Sequence, residues 1–180
     1  MSNKFTILGV DPGTTATGYA FLSADLSSKN NLIPIEYGVI KANPGLKLQK
    51  RIEKIYNKIK ILVKNYKPDE ASIETIFYAK NVKSILSMGE ARGAVMLALS
   101  QENIPVYEYS PREVKRAVVG NGNASKKQVQ YMVKTILKLE EPPLSYDITD
   151  AIAIAICHYH KKNSANRQVT KSQHRRYSKK

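Results

Sequence analysis

Several residue types are rare in this chain of 180 residues, which has no tryptophan, one cysteine and three histidines. The lone Cys157 excludes an internal disulfide and is typical of a reducing compartment. No apolar run approaches the roughly 20 residues that a membrane-spanning helix needs, and no secretory signal precedes the first strand-like run. We therefore expect a cytoplasmic protein that does not associate with membranes.

Acidic residues are also scarce, with 15 Asp and Glu against 29 Lys and Arg and a formal net charge of +14. Residues 161–180 contain eight Lys or Arg and no acid, which predicts a basic, flexible tail after a single domain spanning residues 1–160. Lysine-rich surfaces can serve solubility alone. The size of the excess nevertheless favours nucleic acid, or another anionic surface, as the partner.

The order of strand and helix patterns along the chain is the next signal. Strand-like runs occupy residues 5–10, 17–22, 35–40, 70–74 and 105–109, and helical patterns occupy 46–66 and 82–101 and begin again near Ser110, Ser125 and Tyr146. The first three strands predict an antiparallel meander. Residues 151–156 alternate Ala and Ile, which fits a strand or a helix, and the three alanines favour the helix.

Four acids stand where an apolar core normally rejects charge. Asp11 and Glu74 end apolar strands, and Asp147 and Asp150 lie at the head of the last helix, three residues apart and so on one helical face. Such an all-oxygen set suits Mg²⁺ or Mn²⁺, and two such ions can hydrolyse a phosphodiester bond. Taken singly, each acid is explained equally well as a turn cap or a partner of the helix dipole, and the basic surface favours the metal site.

Histidine is a weaker candidate for this site. His158 lies two turns beyond Asp150 and could approach it, but its position is more typical of a surface or partly buried residue than of a metal ligand. A site built from His or Cys would favour zinc, and these acids do not.

Basic and aromatic residues follow the acids in the connecting segments. The candidates for contact with nucleic acid are Phe77, Tyr78, Lys80, Asn81 and Lys83 after Glu74, and Lys115, Lys126 and Lys127 near two predicted helix N-termini. The aromatic pair could equally pack on its own core. On the second helix, Gly89, Gly93 and Ala94 allow close approach of another helix, either within the chain or across a dimer interface.

Five motifs in order resemble the RuvC-type Holliday-junction resolvases over nearly the whole chain. They are Gly9-Val10-Asp11-Pro12-Gly13, Ile73-Glu74 with Phe77-Tyr78-Ala79-Lys80-Asn81, Gly89-Glu90-Ala91-Arg92-Gly93, Val118-Val119-Gly120-Asn121-Gly122-Asn123-Ala124-Ser125-Lys126, and Asp147-Ile148-Thr149-Asp150-Ala151. The chain differs from that pattern at residues 23–33, at the Ser125-Lys126-Lys127 cluster and in the basic tail.

The resemblance implies an α/β, RNase-H-like fold with a mixed five-stranded sheet flanked by helices. It also implies a homodimer that nicks four-way junction DNA symmetrically during homologous recombination and repair, with branch-migration proteins as partners. The family's four acids, which hold two Mg²⁺ ions per site with Mn²⁺ as a substitute, fall on Asp11, Glu74, Asp147 and Asp150. Its base-contacting aromatic falls on Phe77 and its basic residues near the cut phosphate on Lys115 and Lys126, and the dimer helix carries Gly89 and Gly93.

Two other functions remain open at this level. Residues 11–15 followed by Gly18 look like the phosphate loop of actin-like ATPases, although those enzymes close two lobes on a nucleotide and this chain has the length of one. A non-enzymatic module that binds structured DNA or RNA would need no metal and would leave no nicks.

Overall fold

A computed structural model describes residues 4–25, 32–75, 82–143 and 145–177, with the backbone alone at 82–84 and 166–177. The strands are β1 Lys4–Asp11, β2 Ala16–Asp25, β3 Leu32–Lys41, β4 Glu70–Glu74 and β5 Val106–Tyr109. The helices are α1 Leu48–Tyr66, α2 Val82–Gln101, α3 Pro111–Val119, α4 Lys126–Leu137 and α5 Tyr146–Tyr177.

One mixed sheet orders the strands β3-β2-β1-β4-β5. β1, β2 and β3 pair antiparallel, as the predicted meander requires, whereas β4 pairs parallel with β1 and β5 parallel with β4. The mixed five-stranded sheet that the sequence predicts is therefore confirmed. Because β1 is central, its carboxyl end meets that of β4 at one edge of the sheet.

The two faces of the sheet carry separate cores. Leu8 and Val10 of β1 pack with buried residues of α1 and α2, whereas Ile7 packs with buried residues of α3, α4 and α5. Successive side chains of a strand point to opposite faces of the sheet, so the face of each further residue of β1 follows from these three. Asp11 shares the face of Ile7, toward α5.

The helix α5 lies directly on this second face. All of its residues from Ala151 to Cys157 are buried, so the alternation of Ala and Ile carries no information about an exposed face. The helix predicted for this segment is confirmed. A Cβ atom at Gly9 would collide with the Ala151 carbonyl oxygen, and one at Gly18 with the Asp147 carbonyl oxygen. The two glycines therefore let the α5 backbone approach the strands. The helix continues to Tyr177, past the boundary predicted at residue 160, and the division into domain and tail stays a prediction.

Capping boxes begin α3 and α4. The Ser110 hydroxyl accepts a hydrogen bond from the Glu113 backbone N–H (3.2 Å), and the Ser125 hydroxyl accepts one from the Gln128 backbone N–H (3.3 Å). The Ser-x-x-Glu/Gln spacing at both positions is typical of such caps, and it agrees with the helix starts predicted near Ser110 and Ser125. They define where Lys115 and Lys126 stand. Within the residues that the structure describes, no helix is long and apolar enough to cross a membrane.

Candidate active site

The carboxyl ends of β1 and β4 bring two acids to the same edge of the sheet. In the parallel pairing Val10 lies opposite Ile73, and the next residues along the two strands are Asp11 and Glu74. Ala71 and Ile73 belong to the core with α1 and α2, so Glu74 points to the other face, as Asp11 does. The two acids therefore occupy neighbouring positions at the ends of adjacent strands.

The first turn of α5 supplies the other two acids. Asp147 and Asp150 lie one turn apart, and the close contact of Asp147 with Gly18 places this turn against the strand edge. Burial, together with the charges of Glu74, Asp150 and Asp147, raises the pKa of Asp11 to about 7. The other three predicted acids thus lie within electrostatic reach of Asp11.

Burial is also the largest effect on the pKa of Glu74 and of Asp150. It raises the pKa of Glu74 to about 7, with Asp150 acting in the same direction and Lys126 and Lys115 opposing it. It also raises the pKa of Asp150, against the opposing effect of Lys126. Desolvated carboxylates of like charge are costly without a cation. The positive charges of Lys126 and Lys115 therefore do not fully compensate the negative charge of the cluster.

The donor atoms of this cluster suit a hard divalent cation. Among the residues that the structure describes, no three His, Cys, Asp or Glu side chains are arranged so that they could hold a metal ion. The only donors that the four acids offer are carboxylate oxygens, which Mg²⁺ and Mn²⁺ prefer, and a divalent cation would offset the buried negative charge. In donor chemistry and charge, the residues fit the group that the resemblance implies. Coordination requires the side chains to turn toward a common point.

Two of the predicted lysines stand beside the acids. The Lys126 ammonium, at the first residue of α4, lies 3.2 Å from Asp150 Oδ2 and 5.5 Å from the centre of the Tyr146 ring. Lys115 of α3 is near enough to oppose the rise in the pKa of Glu74 and of Asp150. Lys127 is exposed and turns to the outer face of α4.

Some predicted residues cannot be placed. Phe77, Tyr78, Lys80 and Asn81 lie outside the described residues, and Lys83 is described by its backbone alone, in the first turn of α2. Their role in DNA binding stays a prediction.

An arginine that the sequence did not single out also borders the site. Arg92 of α2 lines a small pocket together with Asp11, Glu74 and Met88, and its guanidinium lies 2.6 Å from Glu108 Oε2. Arg92 lies within the Gly89–Gly93 motif. The sequence predicted a helix-packing surface for that motif, and nothing local in the sequence indicates that Arg92 borders the acids. The pairing with Glu108, on β5, depends on the sheet order.

The loop after Asp11 is held in place from two sides. The Thr17 hydroxyl donates to the Gly13 carbonyl oxygen (2.8 Å) and accepts from the Gly13 backbone N–H (3.3 Å). Arg51 of α1 donates to the Thr14 hydroxyl (3.3 Å). These contacts fix the turn that follows Asp11 at the end of β1. Residues 11–15, which resemble a phosphate loop in sequence, therefore form a hydrogen-bonded turn that positions the end of β1.

His158 is buried, contrary to the surface or partly buried position expected for it. Its Nε2 lies 2.7 Å from Glu70 Oε2 and its Nδ1 lies 2.7 Å from the Tyr109 hydroxyl, while Lys162 donates to Glu70 Oε1 at 2.7 Å. Glu70 begins β4 and Glu74 ends it, so His158 faces the opposite end of that strand from the acids. His158 is therefore not a member of the carboxylate cluster.

The hydrogen bonds assign the protons of this network. Burial lowers the pKa of His158, so the ring is neutral at neutral pH. A carboxylate only accepts, so His158 Nε2–H donates to Glu70, and Nδ1 accepts from the Tyr109 hydroxyl, whose pKa burial raises. Burial alone would raise the pKa of Glu70, but the hydrogen bonds from Lys162 and His158 outweigh it and hold that pKa below its usual value.

Stability should therefore depend on His158 and on pH. The folded-state pKa of His158 and that of Glu70 are both lowered, so stability is complete above about pH 6.5 and falls as the pH drops below it. Replacing His158 with Phe should cost about 2 kcal/mol at pH 7.5, because Glu70 loses a donor and the Tyr109 hydroxyl its acceptor. The variant's stability should change less between pH 7 and pH 5, as measured by urea unfolding.

The partly exposed His160 provides the comparison. It has no acid partner among the hydrogen bonds of the described residues, so His160→Phe should change stability at pH 7.5 by much less. Equal losses for the two variants would show that the hydrogen bonds of His158 contribute nothing beyond burial of a ring.

Comparison with known proteins shows the family to which this chain belongs. The family model described as "Crossover junction endodeoxyribonuclease RuvC" matches residues 7–158. A crossover junction endodeoxyribonuclease RuvC from Pelotomaculum thermopropionicum is 44% identical over 154 residues, which is 86% of this chain and 92% of the relative. Another, from Desulforamulus reducens, is 44% identical over 152 residues, covering 84% of this chain and 91% of the relative.

Solved structures agree with this result. T. thermophilus RuvC in complex with Holliday junction substrate aligns with a TM-score of 0.84 at 28% identity, covering 89% of this chain and 96% of that one. The yeast mitochondrial Holliday junction resolvase aligns at 0.62 with 15% identity, covering 92% and 85%, and shares the fold. The RNase-H-like fold and the resemblance read from the five motifs are both confirmed. The chain belongs to the crossover junction endodeoxyribonuclease RuvC family.

Proposed function

We propose that this chain cuts four-way DNA junctions with Asp11, Glu74, Asp147 and Asp150 as the residues that hold its divalent metal. As a member of its family, the chain is an endonuclease that resolves Holliday junctions. The observation that supports these four residues is their meeting at one edge of the sheet, where they are partly buried and repel one another. Without a cation such a cluster is an electrostatic liability.

The four carboxylates would hold two Mg²⁺ ions, with Mn²⁺ as a substitute. The chemistry that such a pair supplies is activation of the attacking water and stabilisation of the departing 3′ oxygen. Lys126 pairs with Asp150 in the free protein, and it would exchange this carboxylate for a DNA phosphate on binding. Lys115 adds a second positive charge beside the acids.

Several contacts with DNA and proteins complete the proposal. Phe77 would meet bases near the crossover, and Tyr78, Lys80, Asn81 and Lys83 would contact the same strands; Lys127 would meet the phosphates next to Lys126. Branch-migration proteins would act as partners. A cytoplasmic location, with a reducing environment, is in keeping with the single buried Cys157.

The proposed homodimer uses one exposed stripe of α2. Leu86 and Leu97 are 64% and 54% exposed, Gly93 lies between them, and a Cβ atom at Gly93 would meet nothing within 4 Å. Positions 86, 93 and 97 share one helical face, and Gly89 extends it. Ala94 is buried in its own chain and offers little surface to a partner. Pairing through this stripe would give each dimer two sites for two strands.

A nicking assay on matched DNA substrates tests the proposal. With Mg²⁺ a four-way junction should receive two nicks on opposing strands within one binding event, whereas a linear duplex of the same sequence stays intact. Chelation of the metal should stop nicking and leave binding in place, because phosphate contacts supply most of the affinity.

The remaining outcomes would favour the rival functions. Metal-independent binding without nicks would indicate a non-enzymatic module, and ATP binding in calorimetry would indicate an ATPase-related function. Nicks that fall singly, in separate binding events, would contradict the dimer but not the site.

A further inference from the structure

The outer face of α4 is basic and carries no acid. Lys127, Lys134 and Lys138 line a groove of about 570 Å³ together with Tyr131, whose side chain is 68% exposed. The helix itself, Lys126–Leu137, contains no Asp or Glu. In the described part of the chain, no acid forms an ion pair with Lys127, Lys134 or Lys138. Their charges are free to meet an anion.

This face begins at the candidate active site and leads away from it. Lys126, the first residue of α4, lies 3.2 Å from Asp150, and Lys138 caps the other end of the helix. A helix rises about 1.5 Å per residue, so Lys134 stands about 12 Å and Lys138 about 18 Å along the axis from Lys126. At about 3.4 Å per base pair, these distances correspond to about three to five base pairs.

We propose that the outer face of α4 carries the duplex arm that leaves the cut phosphate, with Lys134 and Lys138 on phosphates about two base pairs apart and Tyr131 against the sugar-phosphate chain between Lys127 and Lys134. The inference rests on the proposed function, because it needs the cut phosphate to lie at Lys126. It assigns to α4 a role in holding the direction of one arm, in addition to the contacts next to the scissile bond. Such contacts carry no base-specific information, so the arm can have any sequence.

The charge pattern distinguishes this face from other lysine-rich surfaces of the protein. On α1, which packs on the opposite face of the sheet, Lys50 pairs with Glu53 at 2.7 Å and Lys64 lies 3.7 Å from Glu102. Those two lysines are partly neutralised. Lys54 and Lys58 of the same helix form no ion pair in the described part of the chain, but α1 packs on the sheet face opposite the acids and leads to no candidate site. An unneutralised row that starts at a phosphate-cutting site is complementary to a polyanion of regular spacing, which is duplex DNA.

Salt dependence of junction binding tests the proposal. Lys134→Gln with Lys138→Gln should make the slope of log K against log salt shallower by about 1.8, since each phosphate contact contributes about 0.9. Lys54→Gln with Lys58→Gln is the matched control, because it removes the same charge from exposed positions of α1 and should leave the slope unchanged. Binding is measured with chelator present, and equal melting temperatures of the two variants establish that both fold. Equal slopes for the two variants, as a protein partner in the groove would produce, overturn the inference.

Neutral methylphosphonate linkages locate the contact. Placed three to five nucleotides from the cut phosphate, they should weaken binding by the wild-type chain and by the α1 control variant, and leave binding by the α4 variant almost unchanged. Equal weakening of all three proteins overturns the inference. A chain that shows this pattern but never nicks DNA would contradict the proposed function alone. A chain that nicks paired strands without this pattern would contradict only the arm path.

Discussion

Replacing Asp11 with Asn should reduce junction nicking by at least about 10³-fold while leaving junction affinity intact. The substitution removes a proposed metal ligand from the cluster. Metal-assisted stabilisation of the transition state is worth several kcal/mol, of which about 4 kcal/mol corresponds to that factor. The same result is expected for Glu74→Gln, Asp147→Asn and Asp150→Asn. Single-turnover cleavage of a synthetic four-way junction, with binding measured separately in chelator, checks it.

An exposed acid is the control for this series. Glu53 pairs with Lys50 on the surface of α1, so Glu53→Gln should cut junctions at the wild-type rate. Retained cleavage in all four cluster variants would overturn the assignment of the site. Loss of cleavage together with loss of binding would show that the acids support the fold or the DNA interface instead of the chemistry.

The Asp11 variant should also gain stability in the absence of metal. Folding raises the pKa of Asp11 to about 7, so between about pH 4 and pH 7 the folded state binds more protons than the unfolded state and stability falls as the pH rises. Asparagine removes this charge. At pH 8 in chelator, Asp11→Asn should therefore melt at a higher temperature than the wild type, which ties the loss of activity to charge and not to misfolding.

Replacing Gly18 with Ala should have the second largest effect. The new methyl group would collide with the Asp147 carbonyl oxygen, a backbone atom that can move only if α5 moves. Overpacking of this kind costs about 3 kcal/mol. Displacement of Asp147 by as little as about 1 Å should also slow nicking about 100-fold. Chemical denaturation and the junction assay, run on the same preparation, measure both effects.

Gly93 provides the matched glycine for the stability measurement. A Cβ atom there would meet nothing of its own chain within 4 Å, and Ala is favoured over Gly inside a helix by up to about 1 kcal/mol. Gly93→Ala should therefore stabilise the single chain slightly, as measured at a concentration at which the proposed dimer is dissociated. The two Gly→Ala changes should thus have opposite signs. Wild-type stability in Gly18→Ala would mean that α5 sits on the sheet with more freedom than the glycine contacts indicate.

The four acids could be predicted from the sequence because the signal for each is local. An acid that ends an apolar strand or opens an apolar helix stands out among neighbours that belong to a core. The capping boxes at Ser110 and Ser125 are local in the same sense, since both partners lie within one turn. Strand and helix order, and the family that the motifs resemble, followed from such short-range patterns.

Contacts between segments that are far apart in the sequence could not be predicted from such short-range patterns. His158 meets Glu70, which lies 88 positions earlier in the chain, and Arg92 meets Glu108 only because β4 and β5 pair beside α2. The close approach of Asp147 to Gly18 likewise brings together two segments that are far apart in the sequence. No periodicity in the sequence encodes which faces will touch.

The candidate site around Asp11 combines both kinds of information. The sequence alone determined the identity of the four acids, the strands and helices that carry them and the basic character of the chain, because charge, periodicity and capping act over a few residues. Only the tertiary structure decided that Asp11 and Glu74 leave adjacent parallel strands, that α5 packs on glycines against them, and that burial and mutual repulsion raise the pKa of Asp11 and Glu74. The physical reason is that desolvation and Coulomb interaction depend on distances in space, which the chain reaches only when it folds.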